Sequence, residues 1–300
     1  MVEPPVLHIP VLAAFLAEQI NLPSDGVMVD ATIGHGGHSC LFGGNLTKKG
    51  TILGFDVDKN SIKIAKEKLA QLKCSVKLTH ANFTKIPQRI SDISIDTVDF
   101  ILADLGYSSG QLADPAMGLS FNQDMPLDMR IDKRLRTSAA DIVNNMDEKS
   151  LADIIYNFGQ DRASRRIARF IVQLRQKQKI TTTGQLANVV YRALSKPKKR
   201  RSRIHPATRT FQALRIAVNH ELDNLQVLLD FAPDLLKTGG SIAVISFHSL
   251  EDRLVKNNFK SNDKENIYEI VTKKPVVPSK EEIELNPRAR SAKLRIAIKK

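Results

Sequence analysis

Three hundred residues, 42% hydrophobic and 26% charged, can bury a full core as one large domain with an insertion or as two domains, which excludes a disordered chain. The 45 Lys and Arg against 32 Asp and Glu leave a net charge of +13, which points to a polyanionic partner, nucleic acid first. Two cysteines, Cys40 and Cys74, with no C-x-x-C or paired spacing, indicate neither a disulfide framework nor a zinc site, and no apolar run is long enough to span a bilayer. A reducing cytoplasm and no membrane partner are expected.

His8-Ile9-Pro10-Val11-Leu12 leads into an amphipathic helix predicted to end near Ile20, where Asn21 and Pro23 are stop signals. The stretch from Gly26 to Asp58 then reads as strand, glycine turn, short helix, strand and acidic end. Val27, Met28 and Val29 form a buried strand ending at Asp30, followed by a turn with Gly34, Gly36 and Gly37. A second strand, Thr51 to Phe55, stops at Asp56, about 20 residues past the glycines, where a carboxylate can accept hydrogen bonds from ribose hydroxyls. A dinucleotide fingerprint needs a third glycine at position 39, where Ser39 stands, and no P-loop spacing is present. S-adenosylmethionine has the ribose without the pyrophosphate, so the turn weakly favours it.

Ser61 to Leu72 carries helical apolar spacing, and Val76 to Thr79 is a third strand ending in His80-Ala81-Asn82-Phe83, where Phe83 can lie against an adenine. A fourth strand, Thr97 to Ala103, breaks at Asp104-Leu105-Gly106-Tyr107. Ligands of open parallel sheets bind at the carboxyl ends of strands, so Asp56, Phe83 and Asp104 are expected on one rim.

From Leu112 to Ile204 the strand–helix alternation stops. Helices are predicted over 139–146, 149–158, 162–177 and 185–194, with Ser138, Asp147 and Thr183 as caps. The third is basic, and Arg165 and Arg169 stand one turn apart on a face that can track phosphates. Ser195 to Arg203 holds six Lys or Arg in nine positions, among them Lys198, Lys199, Arg200 and Arg201, and reads as a flexible phosphate-binding loop. Long amphipathic helices return from His205 to Leu236, stopped by Gly239-Gly240. A fifth strand, Ser241 to Ile245, leads to Ser246-Phe247-His248-Ser249, with Ser249 expected to cap the next helix and Asp252 to complete a capping box. Ile267 to Thr272 and Lys293 to Ile298 form a closing strand pair, and Arg288 and Arg290 between them give a second basic edge. The pattern is an α/β seven-stranded methyltransferase sheet of class I, Rossmann-like, with an inserted all-helical domain.

Several motifs in order carry a resemblance over nearly the whole chain. They are His8 to Leu12, DATIGHGGHS from Asp30, DLGYSS from Asp104, GLSFNQDMPLDMRID from Gly118, FGQDR from Phe158, TRTFQALRIAVNHEL from Thr208, SFHSLEDR from Ser246 and NPRARSAKLR from Asn286. On these the chain resembles the RsmH (MraW) family of bacterial small-subunit ribosomal RNA cytosine-N4 methyltransferases. The resemblance implies methyl transfer from S-adenosyl-L-methionine to N4 of a cytidine in the decoding region of 16S rRNA in the small ribosomal subunit. Carried onto matching positions, it implies cofactor contacts at Gly36, Gly37, His38, Asp56, Phe83, Asp104 and Gln111. It also implies a methyltransferase domain of residues 1–111 and 205–300 and an inserted basic substrate-recognition domain of residues 112–204. No resident metal is expected, and a homodimer is left open. The chain departs from the family's usual residues at His35, at Tyr107 and at Gly43-Gly44, which predicts a short or irregular first helix after the glycine turn.

The amine at C4 of cytosine is conjugated with its ring and is a poor nucleophile, so alignment and electrostatics must do most of the work. Asp104 is the leading catalytic candidate, with a Leu105 or Gly106 carbonyl holding the amine. His248 is a second candidate, for the released proton, although a structural role for it is favoured.

Overall fold

The computed structural model describes residues 10–107, 109–194 and 205–300. The chain forms two compact units, one of residues 1–106 and 222–300, the other of residues 107–221.

The first unit holds a seven-stranded sheet: β1 (Val27–Asp30), β2 (Thr51–Asp56), β3 (Ser75–His80), β4 (Val98–Asp104), β5 (Leu236–Ser246), β6 (Tyr268–Ile270) and β7 (Lys293–Lys299). Their order is β3-β2-β1-β4-β5-β7-β6, with β3 to β5 parallel and β7 antiparallel to both β5 and β6. This is the expected class I sheet with its antiparallel closing pair. The chain runs from β1 to one side through β2 and β3, then returns to the other side at β4. The crevice between the ends of β1 and β4 is therefore the switch point at which such sheets bind ligands.

The strands are apolar on both faces because helices cover both. Val29, Ile101 and Ala103 face one core with Val244, and Met28, Phe100 and Leu102 face the other with Ala243 and Ile245. Seven helices belong with the sheet, the first four being α1 (Ala13–Gln19), α2 (Gly37–Gly43), α3 (Lys59–Leu69) and α4 (Ile86–Ser91). As expected, α2 is short. Gly43 ends it against β2, where a Cβ would lie 2.5 Å from Leu72 Cδ1 and 2.8 Å from Ile52 Cδ1.

The second unit contains α5 (Ser109–Ala113), α6 (Ala139–Asn145), α7 (Glu148–Gly159), α8 (Ser164–Arg175), α9 (Thr183–Leu194) and α10 (Thr208–Asn219). The chain then enters α11 (Glu221–Leu235), α12 (Ser249–Lys264) and α13 (Lys280–Leu285). Leu225, Leu228, Leu229 and Ala232 of α11 form one stripe at helical spacing and pack on the sheet.

Four expectations need correction. The helical unit reaches Glu221, because Phe211, Leu214 and Val218 of α10 enter its core beside Ile155 and Ile167, rather than joining the sheet after residue 205. Amphipathic spacing showed that α10 has an apolar face but could not say which core it meets. Thr183 opens α9 without capping it: its Oγ1 donates to Gln123 O (3.1 Å) and accepts from Met125 N (3.0 Å), while Thr182 Oγ1 accepts from Gln185 N (3.3 Å). His248, one residue before the expected Ser249, caps α12, with Glu251 closing the box. Asp252 instead receives Arg295 Nε at 2.7 Å, joining α12 to β7. The glycine stop at Gly239-Gly240 lies inside the long β5 as a bulge, with Gly239 at φ +80° and a register shift opposite Val98–Phe100. Ser138 and Asp147 cap as expected.

Gly159, at the end of α7, meets the first turn of α10 so closely that a Cβ would lie 2.6 Å from Arg209 O. Backbone cannot yield as a side-chain end can, so Gly159→Ala is expected to cost about 1–3 kcal/mol despite alanine's better helix propensity. The chemical denaturation midpoint checks this, and a stabilised variant would contradict the packing described.

Candidate functional site

Three acidic strand ends meet at the switch point: Asp30 on β1, Asp56 on β2 and Asp104 on β4. Register sets Asp30 level with Gly54 and Leu102, so Asp56 and Asp104 reach two residues further along the two neighbouring strands.

The loop after β1 is held by these carboxylates. Thr32 N donates to Asp30 Oδ1 (3.3 Å), and Ser39 Oγ donates to Asp30 Oδ2 (2.6 Å). Thr32 Oγ1 accepts from Asp104 N (2.6 Å), which ties the loop to the end of β4. Gly34 N donates to Asp56 Oδ2 (2.9 Å), and Asp58 N to its Oδ1 (2.8 Å). Gly34 and Gly36 take φ of +49° and +74°, the left-handed region that glycine enters freely, and at Gly37 a Cβ would lie 2.7 Å from Pro10 Cγ. The glycines therefore bend the chain into a cradle that the two aspartates fix from below.

Burial pushes the Asp30 and Asp56 carboxyls up to about 6, against the lowering effect of the hydrogen bonds each receives. His38, in the first turn of α2, is 6% exposed, with Nε2 3.7 Å from Asp104 Oδ2. Both ring nitrogens of His38 and Oδ1 of Asp104 are buried without a hydrogen-bond partner among the described residues. Buried polar atoms left in this state are costly unless a ligand satisfies them. They suit a group with its own donors and acceptors, such as the amino-acid tail of S-adenosylmethionine. Asp56 retains lone pairs for ribose hydroxyls, since a carboxylate accepts about four hydrogen bonds. The residues present thus fit that cofactor.

Other predicted residues fall as follows. Phe83 lies in a 3-10 turn just past β3, half-buried on the sheet's core, in a turn whose start Asn82 caps. Gln111 is buried in α5 of the helical unit, whereas the remaining cofactor candidates are in the sheet unit. Leu105 N donates to Ile245 O (3.0 Å), and at Gly106 a Cβ would lie 2.8 Å from the Phe247 ring, so the chain after Asp104 crosses that ring closely. His248 is half-buried: its Nδ1 accepts from Glu251 N (3.4 Å) and its Nε2 lies 3.2 Å from Glu251 Oε1. Arg165 and Arg169 are exposed on α8, and Arg288 and Arg290 are exposed in a 3-10 turn before β7. His8, Lys198, Lys199, Arg200 and Arg201 lie outside the described residues. Sequence reasoning missed Asp30 and Thr32 as site residues and saw in Ser39 only a broken fingerprint. Tyr107 is held by partners in the helical unit: its hydroxyl donates to Glu221 Oε1 (2.5 Å), and the Arg215 guanidinium lies 4.4 Å over its ring.

A class I sheet with a glycine cradle, acidic strand ends and unsatisfied polar atoms at its switch point defines an S-adenosylmethionine-dependent methyltransferase. The chain belongs to the MraW methylase family, which it matches over residues 5–300. Ribosomal RNA small subunit methyltransferase H of Clostridioides difficile strain 630 is 46% identical to it over 97% of this chain and 98% of its own length. The protein of that name from Acidobacterium capsulatum is 45% identical, covering 98% of both chains, and that of Cyanothece sp. is 47% identical, covering 98% and 95%.

Asp30 yields a pH-dependent expectation. Its folded pKa of about 6 stands above the ordinary 3.8, so the folded state binds the extra proton between these values and loses stability as pH rises through them. Asp30→Asn does not ionise. Its stability relative to wild type is expected to increase from about pH 4 to about pH 6 and then level off, by up to about 3 kcal/mol. Denaturant midpoints across that range test this, and a flat difference would show that the buried carboxyl is not penalised.

Proposed function

We propose that the enzyme methylates N4 of a cytidine in the decoding region of 16S rRNA, acting on the small ribosomal subunit in the cytoplasm. The observation that carries this reading is the position of Asp104-Leu105-Gly106, which ends β4 and leaves it at the switch point of the sheet. Amino methyltransferases hold their target nitrogen with a side chain and a carbonyl at this point of the sheet. The relatives' names, small-subunit rRNA methyltransferases all, support the choice of RNA.

S-adenosylmethionine supplies an electrophilic methyl on its sulfonium. Gly36, Gly37, His38, Asp56, Phe83 and Asp104 bind and orient the cofactor. The Thr32 hydroxyl and Ile245 carbonyl anchor the amides of Asp104 and Leu105, which fixes the chain that offers a Leu105 or Gly106 carbonyl to the N–H of the amine. Such bonds favour localisation of the nitrogen lone pair toward the methyl. The cytidine must leave its stack to reach this loop. His248 is already occupied as the cap of α12, which favours a structural role over proton acceptance. Residues 1–106 and 222–300 carry the cofactor, and the helical unit recognises RNA through Arg165 and Arg169 and the basic run containing Lys198, Lys199, Arg200 and Arg201. Arg288 and Arg290 add a second basic edge.

Nucleoside mass spectrometry of small-subunit RNA from a strain lacking the protein is expected to show no N4-methylated cytidine at the target, with recovery when enzyme and cofactor are added back. Its persistence in that strain would overturn the assignment. Asp104→Ala is expected to abolish transfer, and full activity in that variant would remove Asp104 from the mechanism. Asp56→Ala is expected to weaken cofactor binding by about 10- to 100-fold, the loss of a charge-assisted hydrogen-bond acceptor, as read by calorimetry.

A further inference from the structure

Charge is divided unevenly between the two units. Residues 107–221 contain 21 Lys and Arg against 10 Asp and Glu, a surplus of 11 out of the chain's 13, while the sheet unit is close to balanced. Aromatic exposure follows the same division. Of the four tyrosines, Tyr268 is fully buried and Tyr107 is half-buried beneath Arg215, whereas Tyr156 and Tyr191 are 57% and 59% exposed. No phenylalanine or other tyrosine among the described residues is as open.

The two exposed tyrosines stand on α7 and α9, the helices before and after the arginine-bearing α8. Arg169, midway along α8, lies 3.9 Å from Glu148 at the start of α7, and Tyr156 stands further along that helix. Tyr191 and Arg192 are both exposed near the end of α9, which follows α8 after a short connection. α8 and its approach expose Arg162 and Arg165, and Arg166 lies over the Phe170 ring at 5.8 Å. The acidic groups facing this surface are few: Glu148 is engaged by Arg169, Asp153 is exposed on α7, and Asp161 is buried with its carboxylate on Ala163 N.

An exposed aromatic ring in a positive field is what unpaired nucleotides use, because every base offers a π-face to stack while arginines track the phosphates. A duplex keeps its bases stacked inside and gains only the phosphate contacts. We propose that Tyr156 and Tyr191 form a stacking surface for unpaired RNA bases, on either side of the α8 arginines, so that the helical unit takes its RNA single-stranded. This rests on the reading of the substrate as RNA.

The test uses the full-length protein with Tyr156→Ala, Tyr191→Ala and the matching Phe variants, probed with a short oligoadenylate and with an RNA duplex of equal length. The chain has no tryptophan, so its fluorescence comes from its four tyrosines, and the difference between each variant and wild type isolates the ring removed. Each Ala variant is expected to weaken oligoadenylate binding by about tenfold, to lose part of the quenching and to leave the slope against log salt unchanged, because no phosphate contact is removed. The Phe variants should bind as wild type does, and duplex binding should not change. Ala variants that bind oligoadenylate normally would overturn the proposal. So would an equal loss on duplex, or Phe variants as weak as Ala. Methyl transfer by the wild type to unmodified small subunits is measured alongside. Its failure would remove the proposed function, whereas normal wild-type transfer with an unaltered KM in the double Ala variant would remove the stacking surface alone.

Discussion

The site depends on one buried carboxylate. Asp30 is 2% exposed at the end of the central strand and accepts from Ser39 on the helix side and from Thr32 on the loop side. Through the Thr32 hydroxyl the same loop receives the amide of Asp104. Asp30 thus ties the start of the glycine loop to the first turn of α2 beside His38 and, through Thr32, to the end of β4. Leaving a carboxylate in this surrounding is unfavourable, as its raised pKa records. That cost is offset by directional hydrogen bonds that an apolar residue could not make. The result is a rim whose remaining polar atoms, on His38 and Asp104, have nothing to satisfy them within the sheet unit's described residues and are held ready for a ligand.

The two units solve different problems with different chemistry. The sheet unit holds few polar groups at its switch point, buried and mutually fixed, in a region of little net charge, which suits a small, defined molecule. The helical unit carries nearly all of the chain's charge surplus, over a core of small and branched aliphatics such as Ala139, Ile155, Ile167 and Val190. Long-range attraction to a polyanion needs no fine geometry and suits exposed arginines. Methyl transfer to a poor nucleophile needs position within fractions of an ångström and suits a buried network.

Much of this was legible in the sequence because the patterns are local. Near-continuous apolar runs ending in Asp gave the strands and their acidic ends, and glycine spacing gave the turn. The basic helix stood out in composition. What escaped depended on partners distant in sequence. Ser39 breaks a dinucleotide fingerprint, and only the fold reveals that its hydroxyl reaches Asp30, nine residues away. The apolar face of α10 is plain in sequence, yet only the fold shows that it meets Ile155 and Ile167, where Gly159 admits the close approach of Arg209. Thr182 and Thr183 are equally good caps by type, and the loop at Gln123 and Met125 decides between them by claiming Thr183.

His248 shows the same limit on the functional side. A histidine after the fifth strand of a methyltransferase sheet invites a catalytic role, since imidazole accepts protons near neutrality. Its backbone is extended and its ring turns to the first turn of α12, where Glu251 answers it in a capping box. Helix termini leave four amides without partners, and a ring spent on one of them has one nitrogen fewer for chemistry. The geometry that makes a residue look poised for catalysis, at a strand end beside a helix N-terminus, is also the geometry that demands a cap. Asp104 differs in this respect: its backbone amide is engaged by Thr32, its side chain serves no cap, and its Oδ1 stays buried with no hydrogen-bond partner among the described residues, an acceptor suited to a ligand.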